Sequence, residues 1–163
     1  MWGEKLFPPQ SSESPLFHPL KSEKANTIES VLIVDDEDHI RHILSRIFRE
    51  LEIPDIRVAS DGLEACRMYG ESPTDFIIMD INMPLMNGIE ALKAITESDP
   101  DALVIMMTSV GTRQAVEASI EYGAIRYIRK DTPLHQIREK LQGILKEFRD
   151  DQDDVVDFDE EAM

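Results

Sequence analysis

The sequence predicts an α/β fold: five parallel strands in one sheet, with helices on both faces. Short apolar runs alternate with segments of helical apolar spacing five times between residues 30 and 149. Such strict alternation implies right-handed strand–helix–strand crossovers. The runs are continuous rather than alternating in polarity, as strands buried on both faces must be. Four of the five runs stop at a charged or hydroxyl residue, so polar groups gather at one sheet edge.

Val31-Leu32-Ile33-Val34 is the first strand and stops at Asp35-Asp36. Ile40, Ile43, Leu44, Ile47, Phe48 and Leu51 then recur at helical spacing, with Pro54 expected to end that helix. Residues 56–59 form the second strand, and Asp61-Gly62-Leu63-Glu64 has the pattern of a capping box. Phe76-Ile77-Ile78-Met79 is the third strand and stops at Asp80. A Met-Pro loop follows, and Asn87-Gly88-Ile89-Glu90 opens a helix to residue 98. Residues 103–107 form the fourth strand, which stops at Thr108. The next helix spans residues 112–122 and ends at Gly123. Residues 125–129 form the fifth strand, which stops at Lys130. Thr132-Pro133 starts the last helix, with proline at its first position and a stripe of Leu134, Ile137, Leu141, Ile144, Leu145 and Phe148.

Residues 1–29 hold Pro8, Pro9, Pro15 and Pro19 among serines and charges, with no periodicity, and are expected to be a disordered extension. Residues 30–149 are the folded domain, and residues 150–163 an acidic disordered tail. Net charge is −16, and eight acids lie in that tail, which has no Lys or Arg, so the remainder carries −8. An acidic chain repels phosphate backbones, so direct nucleic-acid binding is not expected. No apolar run approaches the roughly 18 residues of a membrane span. One cysteine, Cys66, permits no internal disulfide and suits a reducing cytoplasm. His18, His39, His42 and His135 lack the spacing of a transition-metal site.

Ligands of such sheets bind beyond the carboxyl ends of the strands. Here those ends deliver Asp35 and Asp36, Asp80, Thr108 and Lys130. Crowded carboxylates repel one another, and a divalent cation relieves that. Magnesium prefers oxygen ligands, commonly one or two carboxylates plus a phosphate. Asp36 and Asp80 suit direct ligation and Asp35 a coordinated water. Lys130 adds positive charge, and Thr108 a hydroxyl that can donate to a phosphoryl oxygen. Aspartate can act as a nucleophile and form an acyl phosphate. Each group alone reads as a helix cap or a solvated side chain. Their shared position at one strand edge is what favours chemistry.

Four segments carry a family resemblance. They are Val31-Leu32-Ile33-Val34-Asp35-Asp36-Glu37, Asp80-Ile81-Asn82-Met83-Pro84-Leu85-Met86-Asn87-Gly88, Met107-Thr108-Ser109 and Gly123-Ala124-Ile125-Arg126-Tyr127-Ile128-Arg129-Lys130. In this order and spacing the chain resembles the receiver domains of two-component response regulators. The resemblance implies a flavodoxin-like strand order 2-1-3-4-5. It implies Asp80 as the phospho-acceptor, with Mg2+ held by Asp36, Asp80 and the backbone carbonyl of Asn82, and Asp35 supporting. Lys130 would pair with the phosphoryl group, Thr108 would move to bond it, and Tyr127 would turn inward. The donor would be a sensor histidine kinase or a phosphotransfer protein, and the output contact with an effector protein. Such a chain is a signalling receiver that catalyses only its own phosphorylation and dephosphorylation.

Two departures stand out. Ser109 follows the switch hydroxyl where the family usually has Ala, and Asp131 follows the lysine where it usually has Pro. A non-proline cis bond costs about 2.5–4 kcal/mol, so the Lys130–Asp131 bond is expected to be trans. Two other functions compete with this one. An aspartyl-phosphate phosphatase needs a second acid two residues after the nucleophile, and that position is Asn82. A phosphorylation-independent binding module would have no need of Asp80, Asp36, Thr108 and Lys130 together.

Overall fold

The computed structural model describes residues 27–109 and 111–150. Five strands alternate with five helices: β1 (Ser30–Val34), α1 (Asp38–Glu50), β2 (Asp55–Ala59), α2 (Gly62–Glu71), β3 (Phe76–Asp80), α3 (Gly88–Ser98), β4 (Val104–Thr108), α4 (Arg113–Glu121), β5 (Arg126–Arg129) and α5 (Leu134–Asp150). All strand pairings are parallel and the order is β2-β1-β3-β4-β5, as the family resemblance implied. The expected disordered segments fall almost wholly outside the described residues. At the end of the first, Glu29 N–H donates to the Asp75 carboxylate at 2.8 Å.

Position in the sheet explains the composition of each strand. β3 and β4 are buried at every residue, and β1 at all but Ser30. The edge strands β2 and β5 hold the exposed residues Val58, Arg126 and Arg129, and β2 also carries the half-buried Arg57 with its partner Asp55. Leu32, Ile77, Met79, Leu92, Val104 and Met106 form a contiguous core with Ala65, Tyr69 and Ile95. Each fully buried side chain of this kind stabilises by about 1.5–3 kcal/mol. The methionines divide accordingly. Met79, Met106 and Met107 are buried, whereas Met83 and Met86 pack against the core from the loop after β3.

Caps agree with the sequence at several helices. Asn87 and Glu90 form a reciprocal capping box at α3. At α2 Asp61 accepts from Glu64 N–H, but the Glu64 carboxylate accepts in return from Ser60 N–H rather than from Asp61 N–H. Gly123, at φ 99°, ends α4, and Ala124 N–H reaches back to Ser119 O. Pro133 sits just before α5 rather than at its first position, and its carbonyl accepts from Ile137 N–H. A one-residue difference of this size is ordinary at helix ends.

Pro54 does not end α1. The helix stops at Glu50, and Glu52 takes a left-handed conformation at φ 67°. Glu52 N–H donates to Arg49 O and Ile53 N–H to Phe48 O, the two bonds of a Schellman cap. Ile53, the residue after the cap, is buried. A side chain in this conformation costs about 1–2 kcal/mol, and glycine's extra freedom in the unfolded chain offsets part of that. Glu52→Gly is therefore expected to raise stability by about 0.5–1 kcal/mol in urea denaturation. A loss of stability would show that Glu52 does something other than turn the chain.

Candidate functional site

Because all five strands run parallel, their carboxyl ends share one edge. Asp35 follows β1 directly, its N–H bonded to Ala59 O of β2 at 3.1 Å. Its carboxylate accepts from Glu37 N–H at 2.9 Å, and Arg41 donates to its carbonyl at 2.7 Å. Asp80 is the last residue of β3 and pairs in register with Met107 of β4, one residue before Thr108. Thr108 is fully buried, and its carbonyl accepts from Lys130 N–H at 2.9 Å. That bond holds the residue after β5 against the end of β4.

Oxygens of Asp35, Asp36 and Asp80 lie within 4.8 Å of one another. Asp35 and Asp80 are buried, and Asp36 is exposed. Lys130 reaches into this cluster from the end of β5. Its ammonium lies 2.7 Å from Asp35 Oδ2, 3.1 Å from Glu37 Oε1 and 3.3 Å from Asp80 Oδ2. Burial pushes the Asp80 carboxyl up to about 6, with the Asp35 charge adding to the rise and Lys130 opposing it. Burial is the largest single influence on Lys130 and opposes its charge, but the bonds and charges of Asp35, Asp80 and Glu37 together outweigh it, and the ammonium is held above its ordinary value. Three carboxylates thus face one ammonium, and Asp36 adds a fourth acid beside Asp35 and Asp80. The donor set is wholly carboxylate oxygen, without thiolate or imidazole, which suits a hard divalent cation.

The loop after β3 is built against this edge. Gly88 N–H donates to Ile81 O at 2.7 Å, and any Cβ on Gly88 would collide with the Asp80 carbonyl. Only glycine lets α3 begin so close beneath Asp80. Asn82 lies two residues beyond Asp80 and is exposed at the start of that loop. Leu85 takes φ 68° in the same loop and is also exposed. Tyr127 lies on β5, partly buried against the core, and a Cβ on Gly111 would sit 3.5 Å from its hydroxyl. The phenol tip therefore borders the loop between β4 and α4.

The edge brings together Asp35, Asp36, Asp80, Thr108 and Lys130, in keeping with their positions at strand ends. There is no cis peptide bond among the described residues, so Lys130–Asp131 is trans. Arg129 clamps Asp131 with two bonds, Nε at 3.0 Å and a terminal nitrogen at 2.7 Å. That pair brackets Lys130 where the family usually has proline. One participant is not evident from the sequence. Glu37 stands in the first motif without a role there, and it contacts Lys130 across 93 residues. No local pattern signals a pairing over that separation.

Comparison with known proteins agrees with this geometry. The family model for the response regulator receiver domain matches residues 31–142. The chemotaxis protein CheY of Halobacterium salinarum is 37% identical over 118 residues, covering 72% of this chain and 97% of that protein. Sporulation initiation phosphotransferase F of Bacillus subtilis is 32% identical over 117 residues, covering 72% and 94%. Among solved structures, the CheX–CheY–BeF3–Mg2+ complex from Borrelia burgdorferi matches with a TM-score of 0.66 at 33% identity, covering 71% of this chain and 88% of that one. Among the described residues no helix is long and apolar enough to cross a membrane. With the fold, the acidic edge and the family match in agreement, this chain belongs to the response regulator receiver domain family of two-component signalling.

Proposed function

We propose that residues 30–149 form a receiver that accepts a phosphoryl group on Asp80 and signals by changing a protein-binding surface. The observation that carries this reading is the setting of Asp80. It is a buried carboxylate with an acid on one side, an ammonium 3.3 Å away, and a carboxyl pushed up to about 6. Such a group is held ready for a partner that neutralises its surroundings. Asp36, Asp80 and the Asn82 backbone carbonyl hold Mg2+ in this reading, with Asp35 supporting through a water. The cation supplies charge neutralisation for an incoming phosphate, and the chain does the rest by positioning. A carboxylate oxygen of Asp80 would bond phosphorus as the donor's bond to phosphorus breaks and its imidazole, or acetate from acetyl phosphate, departs, while Lys130 pairs with a phosphoryl oxygen and the Thr108 hydroxyl donates to another. Tyr127 follows Thr108, so the face of α4, β5 and α5 changes when the bond forms. The solved CheX–CheY complex contains BeF3 and Mg2+, which supports an anion and a divalent cation being taken together at an edge of this kind.

The phosphodonor is a sensor histidine kinase or a phosphotransfer protein, and the effector is another protein reached by direct contact in the cytoplasm. The chain turns over nothing but its own aspartyl phosphate. Incubation with acetyl phosphate should add one phosphoryl group in Mg2+ and none in excess chelator, read by intact mass. Asp36→Ala should weaken Mg2+ binding by tenfold or more, on the scale of losing one carboxylate ligand at about 1.4 kcal/mol per decade. Labelling that proceeds unchanged in chelator would defeat the cation site.

A further inference from the structure

Glu37 holds the position before α1 where a side chain ordinarily caps the helix, yet it makes no capping bond. Its carboxylate instead accepts from Lys130 at 3.1 Å. The same ammonium holds Asp35 at 2.7 Å and Asp80 at 3.3 Å. An ammonium has three donors, so three carboxylates saturate it. Two of the three are buried, whereas Glu37 has a side chain 50% exposed and stands at the mouth of the site.

We propose that Glu37 is a positioning residue that parks the Lys130 ammonium in the resting protein and screens the mouth of the site against anionic phosphodonors. The inference rests on Asp80 being the acceptor. A phosphoryl group reaching Asp80 needs a donor from Lys130, so one carboxylate has to yield. Asp35 and Asp80 are buried beside the cation site, whereas Glu37 is half exposed and can turn to water, so its bond is the one exchanged. Until then its half-exposed charge shares an ammonium with Asp80, and there it lowers the local concentration of any anion. The cost of that screening grows with the charge of the donor.

Full-length chain in saturating Mg2+ provides the test, with acetyl phosphate as a dianionic donor and phosphoramidate as a less charged one. Glu37→Gln keeps an acceptor for Lys130 and removes the charge. It should lower the KM for acetyl phosphate by about threefold to tenfold, the scale of one unit charge at a wet site. The KM for phosphoramidate should fall less, and the maximal rates should stay close to wild type. Glu37→Asp keeps the charge and should hold the acetyl phosphate KM near its wild-type value. In metal-free protein the Lys130 ammonium resonance should shift in Glu37→Gln, and an unshifted resonance would show that Glu37 does not hold Lys130 in the resting protein. A labelled wild type whose donor KM ratio is unchanged in Glu37→Gln would overturn this inference alone. Labelling that survives Asp80→Asn would overturn the acceptor reading and this inference with it.

Discussion

Asp80→Asn is expected to stabilise the protein at neutral pH while abolishing its phosphorylation. The carboxyl ordinarily titrates at 3.8, and in the folded protein burial and Asp35 push it up to about 6. Below the ordinary value Asp80 is protonated in both states and imposes no penalty. As pH rises from there, the unfolded chain ionises first, so folding stability falls until the folded group ionises too. Above that point the full cost remains, about 2–3 kcal/mol by the conversion of one pKa unit to 1.36 kcal/mol. Asparagine has no charge to bury and should recover most of it. Urea denaturation in chelator should therefore show the variant more stable at pH 7.5, with the difference vanishing near pH 4. A variant less stable at pH 7.5 would mean that Asp80 is held by favourable contacts rather than at a cost. A carboxylate kept ionised against its surroundings is a sign of selection for chemistry over stability.

Lys130→Met should have the opposite effect. Methionine keeps most of the stem volume, so the change isolates the ammonium. The Lys130 side chain is only 9% exposed, and it neutralises Asp35 and Asp80, at 3% and 4%. Removing one partner of a buried pair typically costs 3–5 kcal/mol, because the other charge is left uncompensated. Asp80 can shed part of that cost by taking up a proton, so the expected loss is about 3 kcal/mol in chelator at pH 7.5. Two conditions should restore stability. Saturating Mg2+ supplies positive charge, and acidification to pH 5 completes the protonation of Asp80. A loss of equal size under all three conditions, by urea denaturation, would assign the effect to packing of the stem.

The parts of this fold legible in the sequence are those where one physical demand fixes composition. β1, β3 and β4 are the inner strands of the sheet and almost wholly buried, so they can hold little but apolar residues, and each reads as an unbroken run. Polar groups are tolerated only where such a strand ends. Asp35, Asp80 and Thr108 therefore stand out as candidates in the sequence itself, and Lys130 joins them by its place at the end of the fifth strand. The features that do not stand out lack such a demand. Glu52 makes the turn after α1 in a conformation that favours glycine, and nothing in a surface glutamate announces it. Leu85 does the same in the loop after β3. Glu37 reads as an acid at a helix start, which needs no further reason. Its bond to Lys130 exists only because the sheet folds two distant strand ends together. The Arg129–Asp131 clamp is hidden because both residues read as exposed charge beside a turn.

The claim on which the rest depends is that Asp80 receives the phosphoryl group. The most direct measurement is to incubate the full chain with acetyl phosphate and Mg2+, trap the acyl phosphate by borohydride reduction, and map the reduced residue by peptide mass spectrometry. The expected product is homoserine at position 80 alone, absent from Asp80→Asn. Reduction at Asp35, Asp36 or any other acid, or an unmodified Asp80 in a labelled chain, would contradict it.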